Sequence, residues 1–96
     1  MTSKFFEKFN ELFTVIADLE TLEESREFFE DLCTIKELDS MNQRLEVAKL
    51  LYSGKNYQEI CKITGASSAT ISRVNRCLTY NEGYKNVIKK LVEKSK

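Results

Sequence analysis

The residues best suited to chemistry in this chain lie in one segment, residues 56–78, with the sequence NYQEICKITGASSATISRVNRCL. Small, hydroxyl, amide and arginine side chains alternate there with apolar ones. Hydroxyl and amide groups form hydrogen bonds with base edges or phosphates, and arginine binds guanine through two hydrogen bonds or holds a phosphate. This combination predicts a surface that enters a groove of double-stranded DNA.

Two short helices joined by a tight turn are predicted to position these side chains. They span residues near 57–64 and 68–77. Gly65 lies between them, where such a turn needs a residue that tolerates a positive φ angle. Ser67 or Ser68 can cap the second helix by accepting a hydrogen bond from a free backbone amide.

The apolar residues of this segment give each helix an inward face. Ile60 and Ile63 are expected to face inward from the first helix, and Ile71, Val74 and Leu78 from the second. The opposite side of the second helix then carries small, hydroxyl and arginine residues, while the first helix would cross the DNA backbone. The predicted DNA-binding residues are Gln58, Lys62, Ser67, Ser68, Ala69, Thr70, Ser72, Arg73, Asn75 and Arg76.

The charges of the chain are divided between its two halves. Residues 1–34 carry three bases against nine acids, whereas residues 54–96 carry nine bases against three acids. A basic half is the electrostatic footprint of a surface that binds phosphates. Charge taken alone favours a solvated surface whose halves complement each other. Together with the 56–78 segment, it supports DNA binding.

The composition excludes several classes of protein. The chain has 96 residues, 42% apolar and 31% charged, which fits one globular domain. It has no proline and three glycines, which argues against an all-β fold. It also lacks histidine, the commonest general base and zinc ligand, and has no phosphate-binding loop. We therefore expect neither an enzyme nor a bound cofactor or metal.

The cysteines and the apolar runs indicate where the protein works. Cys33, Cys61 and Cys77 are an odd number without a C-x-x-C pair, so we expect no disulfides, a cytoplasmic location, and burial as small apolar residues. No apolar run approaches the length of a membrane span. The N-terminal MTSKFFEKFNELF has acids within its apolar stretch, which is unlike a signal peptide.

Helical spacing of apolar residues continues on both sides of the motif. A first helix, roughly 4–19, carries Phe5, Phe6, Phe9, Leu12, Phe13, Ile16 and Leu19. The boxes that begin at Thr21 and Thr34 predict the starts of two further helices, the second ending near Ser53 before Gly54. That helix is apolar on more than one side, which favours a partner subunit.

These patterns together predict one all-α domain, residues 1–96, with five or six helices and a helix-turn-helix. Residues 1–53 would supply the dimerisation helices, residues 56–78 the helix-turn-helix, and residues 81–94 a C-terminal helix. Two alternatives remain. One is an ordinary αα-hairpin with a polar face. The other is a helical adaptor that binds another protein without binding DNA, which the acidic N-terminal third and its phenylalanines would serve.

From about residue 32 to residue 78, the chain resembles the core of the tryptophan repressor superfamily, and within it the YerC/YecD group of TrpR-related proteins. The distinctive elements are Thr34, Arg44, Leu50-Leu51 before Gly54, and Gly65-Ala66 leading to Ala69-Thr70-Ile71-Ser72-Arg73. The spacing between the two glycines is one residue shorter than in the tryptophan repressor itself.

The resemblance implies an intertwined all-α homodimer that acts as a transcriptional regulator of the repressor type. Its two recognition helices would enter successive major grooves of an approximately palindromic operator. By the same resemblance, Ser68, Ala69 and Thr70 fall where the recognition helix meets the groove.

The resemblance also implies an effector pocket. Arg44 and Arg73 match the arginines that hold the corepressor, and Thr34 matches a threonine of the other subunit. Val74 stands where the repressor has a glycine beside the ligand, and its bulk argues against tryptophan. Arg73 could instead hold a phosphate or another small carboxylate, Arg44 could pair with an acid such as Glu46, and Thr34 could serve as a helix cap.

Overall fold

The computed structural model describes the backbone of residues 4–94 and the side chains of residues 6–94, so the predicted contribution of Phe5 lies outside the described side chains. All regular structure in this part of the chain is helical. If the first two segments are counted as one interrupted helix, the described part of the chain has six helices, which agrees with the predicted five or six. The segments are α1 (Lys4–Glu7), α2 (Asn10–Ala17), α3 (Leu22–Leu32), α4 (Ile35–Tyr52), α5 (Tyr57–Thr64), α6 (Ser68–Tyr80) and α7 (Gly83–Lys94).

The first predicted helix is interrupted after Glu7. The Phe9 amide donates to the Phe6 carbonyl at 3.0 Å, three residues back, before α2 begins. A turn of this tighter kind brings residues i and i+3 into line. The rings of Phe6 and Phe9 accordingly lie 6.1 Å apart, and that of Phe13 lies 6.4 Å from Phe9.

The start of α3 was predicted correctly, with one change in its capping box. The Thr21 hydroxyl oxygen accepts a hydrogen bond from the Glu24 amide at 3.0 Å. The Glu24 carboxylate accepts from the Glu20 amide at 2.8 Å, one residue earlier than the standard box. Both contacts satisfy amides before or within the first turn, which have no partner inside the helix.

The chain divides into two compact units, residues 1–35 and 36–96. The buried core lies in the second unit and consists of Val47, Ala48, Ile60, Ala66, Ile71, Val74, Leu78 and Ile88. Among the described side chains of the first unit, none is buried, and Leu22 is 74% exposed. The described apolar side chains of the first unit are therefore either exposed or only partly covered.

The end of α4 follows the glycine prediction. Gly54 has a φ of +96°, and its amide donates to the Leu51 carbonyl at 3.0 Å. The Lys55 amide donates to the Leu50 carbonyl, also at 3.0 Å. This pair of bonds is the Schellman arrangement, which glycine permits because it has no Cβ in the left-handed region.

Two predictions about burial are wrong. Ile63 is 58% exposed, because α5 turns Ile60 and the half-buried Thr64 inward instead. Residues i and i+4 then share the inner face, as they do on any α-helix. The expected burial of the cysteines also fails: Cys61 is exposed, and Cys33 and Cys77 are partly exposed.

The last two helices differ slightly from their predicted bounds. The sequence placed the end of α6 near residue 77, whereas the helix continues to Tyr80. Asn81 then adopts an extended conformation, with its amide donating to the Cys77 carbonyl at 2.9 Å, so α7 begins at Gly83. Within the described range, no helix is long and apolar enough to cross a membrane.

Candidate nucleic-acid interface

Reciprocal side-chain hydrogen bonds fix the start of α5. The Asn56 side chain accepts from the Glu59 amide at 2.9 Å, and the Glu59 carboxylate accepts from the Asn56 amide at 3.2 Å. This capping box satisfies two amides that otherwise lack partners at a helix start. The helix predicted to cross the DNA backbone therefore has a defined first turn.

The turn between α5 and α6 is held by its glycine and by contacts from both sides. Gly65 has a φ of +73°, and its amide donates to the Cys61 carbonyl at 2.8 Å. The Thr64 hydroxyl oxygen accepts from the Ala66 amide at 3.1 Å. The Gln43 side chain donates to the Thr64 carbonyl at 3.1 Å. The long helix α4 thus fixes the turn directly.

Ser67, rather than Ser68, caps α6. Its hydroxyl oxygen accepts from the Thr70 amide at 3.2 Å, and the same hydroxyl lies 3.1 Å from the Thr70 hydroxyl oxygen. Inward, Ile71 and Val74 are at most 1% exposed, and Leu78 is also buried. The cap and the buried stripe together fix the rotation of α6 about its axis.

The outer side of α6 matches the face predicted from helical periodicity. Ser68, Ala69, Ser72, Arg73 and Arg76 are exposed. The predicted flanking residues, Thr70 and Asn75, are half-buried. On the neighbouring helix α5, the side chains of Gln58 and Lys62 are exposed, as is Ser67 at the cap. The structure therefore brings all ten predicted DNA-binding residues onto two adjoining helices and their connecting turn.

The electrostatics of α6 favour an anionic partner. The helix has no acidic residue along its whole length. The ion pairs found among the described side chains join Arg26 to Glu23, Lys49 to Glu46, and Lys55 to Glu59. Arg73 and Arg76 take part in none of them. Both guanidinium groups are thus left to water or to a bound anion.

A cavity of about 420 Å³ lies between α4, α6 and the start of α7. Arg44 from α4 and Arg73 from α6 both line it, so the structure brings together the two arginines of the predicted effector pocket. Val74 forms part of the wall. Thr34, the third predicted pocket residue, belongs to the first unit, where it is exposed just before α4. Glu46, a predicted partner of Arg44, pairs with Lys49 at 3.4 Å instead.

Sequence reasoning missed part of this cavity. Its further lining residues are Ser40, Gln43, Thr70, Cys77 and Tyr84. The sequence does contain a signal, because Ser40, Gln43 and Arg44 are polar residues at positions i, i+3 and i+4 of a helix that is otherwise apolar toward its end. Tyr84 carries no such signal, since it comes from a separate helix.

Comparison with known proteins gives consistent matches over nearly the whole chain. The family model described as Trp repressor protein matches residues 7–92. The uncharacterized protein YerC of Bacillus subtilis (strain 168) is 51% identical over 85 residues, which cover 88% of this chain and 82% of YerC.

Solved structures give the same result. The crystal structure of a TrpR-like protein from Eubacterium eligens matches with a TM-score of 0.87 and 46% identity, covering 93% of this chain and 95% of that one. A protein from Staphylococcus aureus, provisionally identified as a Trp repressor, matches with a TM-score of 0.84 and 42% identity over the same shares of the two chains.

Proposed function

Because this chain belongs to the Trp repressor protein family, of the YerC type, we propose that it is a sequence-specific DNA-binding transcriptional regulator. It acts as a homodimer and represses by occupying its operator. The family is one of transcription regulators rather than enzymes. Its place of action is the cytoplasm, where bacterial relatives of this kind would meet the chromosome.

The observation that carries this proposal is the two-sided construction of α6. One side is anchored by Ile71, Val74 and Leu78, which are buried. The other side exposes small, hydroxyl and arginine residues and has no carboxylate. An α-helix fits the major groove of B-DNA when small side chains let its backbone approach the bases. A rigid helix presenting such a face is the arrangement that the helix-turn-helix uses.

Different residues of this surface serve different parts of the duplex. Ser68, Ala69 and Thr70, in the first turn of α6, meet the base edges in the major groove. Gln58 and Lys62 on α5 hold the sugar-phosphate backbone, as Ser67 does at the cap. Arg76, further along α6, binds a phosphate. Ser72, Arg73 and Asn75 complete the contact.

The proposed homodimer explains why the first unit buries none of its described side chains. In residues 6–35, no described side chain is buried, and Phe13 is 49% exposed. Short helices are marginal in water without a surface to pack on. A second copy of the chain supplies that surface, as the family resemblance implies, and it places two α6 helices on one duplex. The mass of the particle in solution is then twice the 11.2 kDa of one chain.

The cavity between α4 and α6 is the proposed effector site. Arg44 and Arg73 provide two cations for a small carboxylate, which binds to guanidinium groups through charge-assisted hydrogen bonds. Val74 occupies the space beside them, so the ligand is smaller than tryptophan or is oriented differently. Thr34 would join this site from the other subunit.

The experiment that tests the proposal is selection from a pool of random DNA duplexes, carried out at two salt concentrations and followed by sequencing. Enrichment of a pseudo-palindrome with half-sites about one helical turn apart supports a dimeric regulator. Arg76→Ala should weaken binding to all sequences, whereas Ala69→Leu should change which sequences are selected. Absence of binding at either salt, with and without candidate carboxylates, would refute the proposal.

The alternative function is a helical adaptor, which the acidic first unit favours because none of its described side chains is fully buried. Its described part contains carboxylates around an open cavity of about 460 Å³, including Asp18, Glu24 and Glu27 beside Phe28. An adaptor would capture a protein partner and would leave duplex DNA unprotected from nuclease. Nuclease protection of a selected duplex therefore distinguishes the two functions.

A further inference from the structure

A second cavity, of about 510 Å³, adjoins the cavity that contains Arg44 and Arg73. We call it the apolar cavity and its neighbour the arginine cavity. The two share Cys77 and Tyr84 in their linings. The apolar cavity is lined by Leu45, Cys77, Asn81, Gly83, Tyr84 and Val87. Every residue of both linings belongs to the second compact unit.

The two cavities follow each other along one side of α6. Thr70, Arg73 and Cys77 line the arginine cavity, and Cys77 and Asn81 line the apolar cavity. Spacings of three and four residues place these side chains on the same side of the helix. Because an α-helix rises 1.5 Å per residue, each of the steps from Arg73 to Cys77 and from Cys77 to Asn81 covers about 6 Å. The two cavities are therefore arranged end to end.

The chemistry of the lining changes from one cavity to the other. The arginine cavity contains two guanidinium groups, and none of the described residues that line it is acidic. Neither Arg44 nor Arg73 takes part in the ion pairs found among the described side chains. The described lining of the apolar cavity contains no charged side chain, and its Val87 is 54% exposed. One end thus suits an anion, and the other suits a hydrocarbon that would cover apolar surface.

We propose that the effector is a carboxylate with an unbranched aliphatic tail, bound along both cavities. The two guanidinium groups hold the carboxylate through charge-assisted hydrogen bonds, and the tail extends beside α6 toward Leu45 and Val87. The tail is a chain rather than a ring because Val74 occupies the space beside the arginines. The inference rests on the proposed function, which places a carboxylate effector between α4 and α6.

Carboxylates of increasing tail length test this proposal in NMR titrations of the full-length protein. Acetate occupies the anionic end alone, whereas the tail of octanoate extends beyond Cys77. Each methylene group that leaves water for the apolar cavity should tighten binding by up to about fourfold. Octanamide has the same tail without the charge and should bind far more weakly than octanoate. Arg44→Gln should weaken the binding of acetate and of octanoate alike.

Val87→Asn tests the tail end of the site, and Val92→Asn is its matched control. Both valines lie on α7 and are about half exposed, at 54% and 45%, but Val92 lines neither cavity. Val87→Asn should weaken octanoate binding about tenfold, the loss expected when about half of the burial of a valine side chain is removed. It should leave acetate binding unchanged, and Val92→Asn should leave both unchanged. Thermal unfolding of each variant checks that the fold is kept.

Three results would overturn the inference. Equal affinities for acetate and octanoate would show that the apolar cavity takes no part in binding. An octanoate affinity that both asparagine variants lower equally, or that neither lowers, would place the tail elsewhere on the protein. If Val87→Asn instead halves the mass of the particle in solution, the apolar cavity is an interface between two copies of the chain and holds no tail.

The failure of this inference differs from the failure of the proposed function. Duplex binding is measured separately, with and without octanoate. A protein that shows the expected ligand pattern but binds no duplex in either condition contradicts the proposed function alone. A protein that selects a duplex but binds octanoate no more tightly than acetate contradicts only this inference.

Discussion

Replacement of Gly65 by alanine tests how the turn between α5 and α6 positions the recognition helix. Gly65 has a φ of +73°, and a Cβ built there meets no atom within 4 Å. The cost of the substitution is therefore conformational rather than steric. An L-residue in the left-handed region costs about 1–2 kcal/mol, and alanine recovers about 0.4–1 kcal/mol by restricting the unfolded chain. Gly65→Ala should lower the free energy of unfolding by about 1 kcal/mol.

The other two glycines provide matched controls. Gly54 also has a positive φ, +96°, with no atom near its missing Cβ, so Gly54→Ala should cost a similar free energy of unfolding. Gly83 is the first residue of α7 and has no positive φ, so Gly83→Ala should raise the free energy of unfolding by about 0.5 kcal/mol. The three substitutions add the same methyl group in three different backbone settings.

Two assays distinguish stability from positioning. Urea unfolding gives the change in stability of each variant, and duplex binding under native conditions gives its effect on the interface. In the Gly65→Ala variant, the backbone relieves the strain of the new alanine by rotating α6 relative to α5. We therefore expect this variant to lose more DNA affinity than Gly54→Ala, which is destabilised equally. A Gly65→Ala protein as stable as the wild type would refute the conformational argument. Equal DNA affinities for the two alanine variants would refute the positioning role of the turn.

Three further substitutions test the supports of α6. Ser67→Ala should lower the free energy of unfolding, measured with urea, by about 1 kcal/mol, because the Thr70 amide loses its hydrogen-bond acceptor. An unchanged free energy of unfolding would show that water replaces the hydroxyl at no cost. Gln43→Ala should also cost about 1 kcal/mol and weaken DNA binding, because the Thr64 carbonyl loses its donor. Ile71→Ala, at a site that is 0% exposed, should cost about 2–5 kcal/mol, whereas Ile63→Ala, at a site that is 58% exposed, should cost under about 0.5 kcal/mol. Similar losses for the two isoleucines would contradict the assigned inner face.

The helix-turn-helix could be predicted from sequence because its determinants are local. The span of α5, the first residue of α6 and the left-handed glycine between them all agree with the prediction. Within α6, spacings of three and four residues identified the buried stripe and hence the exposed face. A cap, a glycine and a helical period each act within one or two turns of the chain, so one sequence suffices to recognise them.

Features that depend on distant residues could not be predicted in this way. Whether Ile63 or Thr64 faces inward depends on how α5 packs, and both choices fit a helical period. The lining of the cavity could be predicted only from the arrangement of three helices, α4, α6 and α7. Tyr84 is the lining residue that comes from α7. The interruption at Lys8 and Phe9, between α1 and α2, occurs without proline or glycine, the usual signals for a break.

The most direct test of the account is the affinity of the purified protein for duplex DNA across a range of salt. We predict that a selected duplex binds more tightly than a scrambled one and that both affinities fall steeply between about 50 and 200 mM salt, as expected for a protein that neutralises several phosphates. Absence of binding at the lowest salt would contradict the account, and so would an affinity that salt leaves unchanged. Either result would remove α6 and its arginines from a DNA interface.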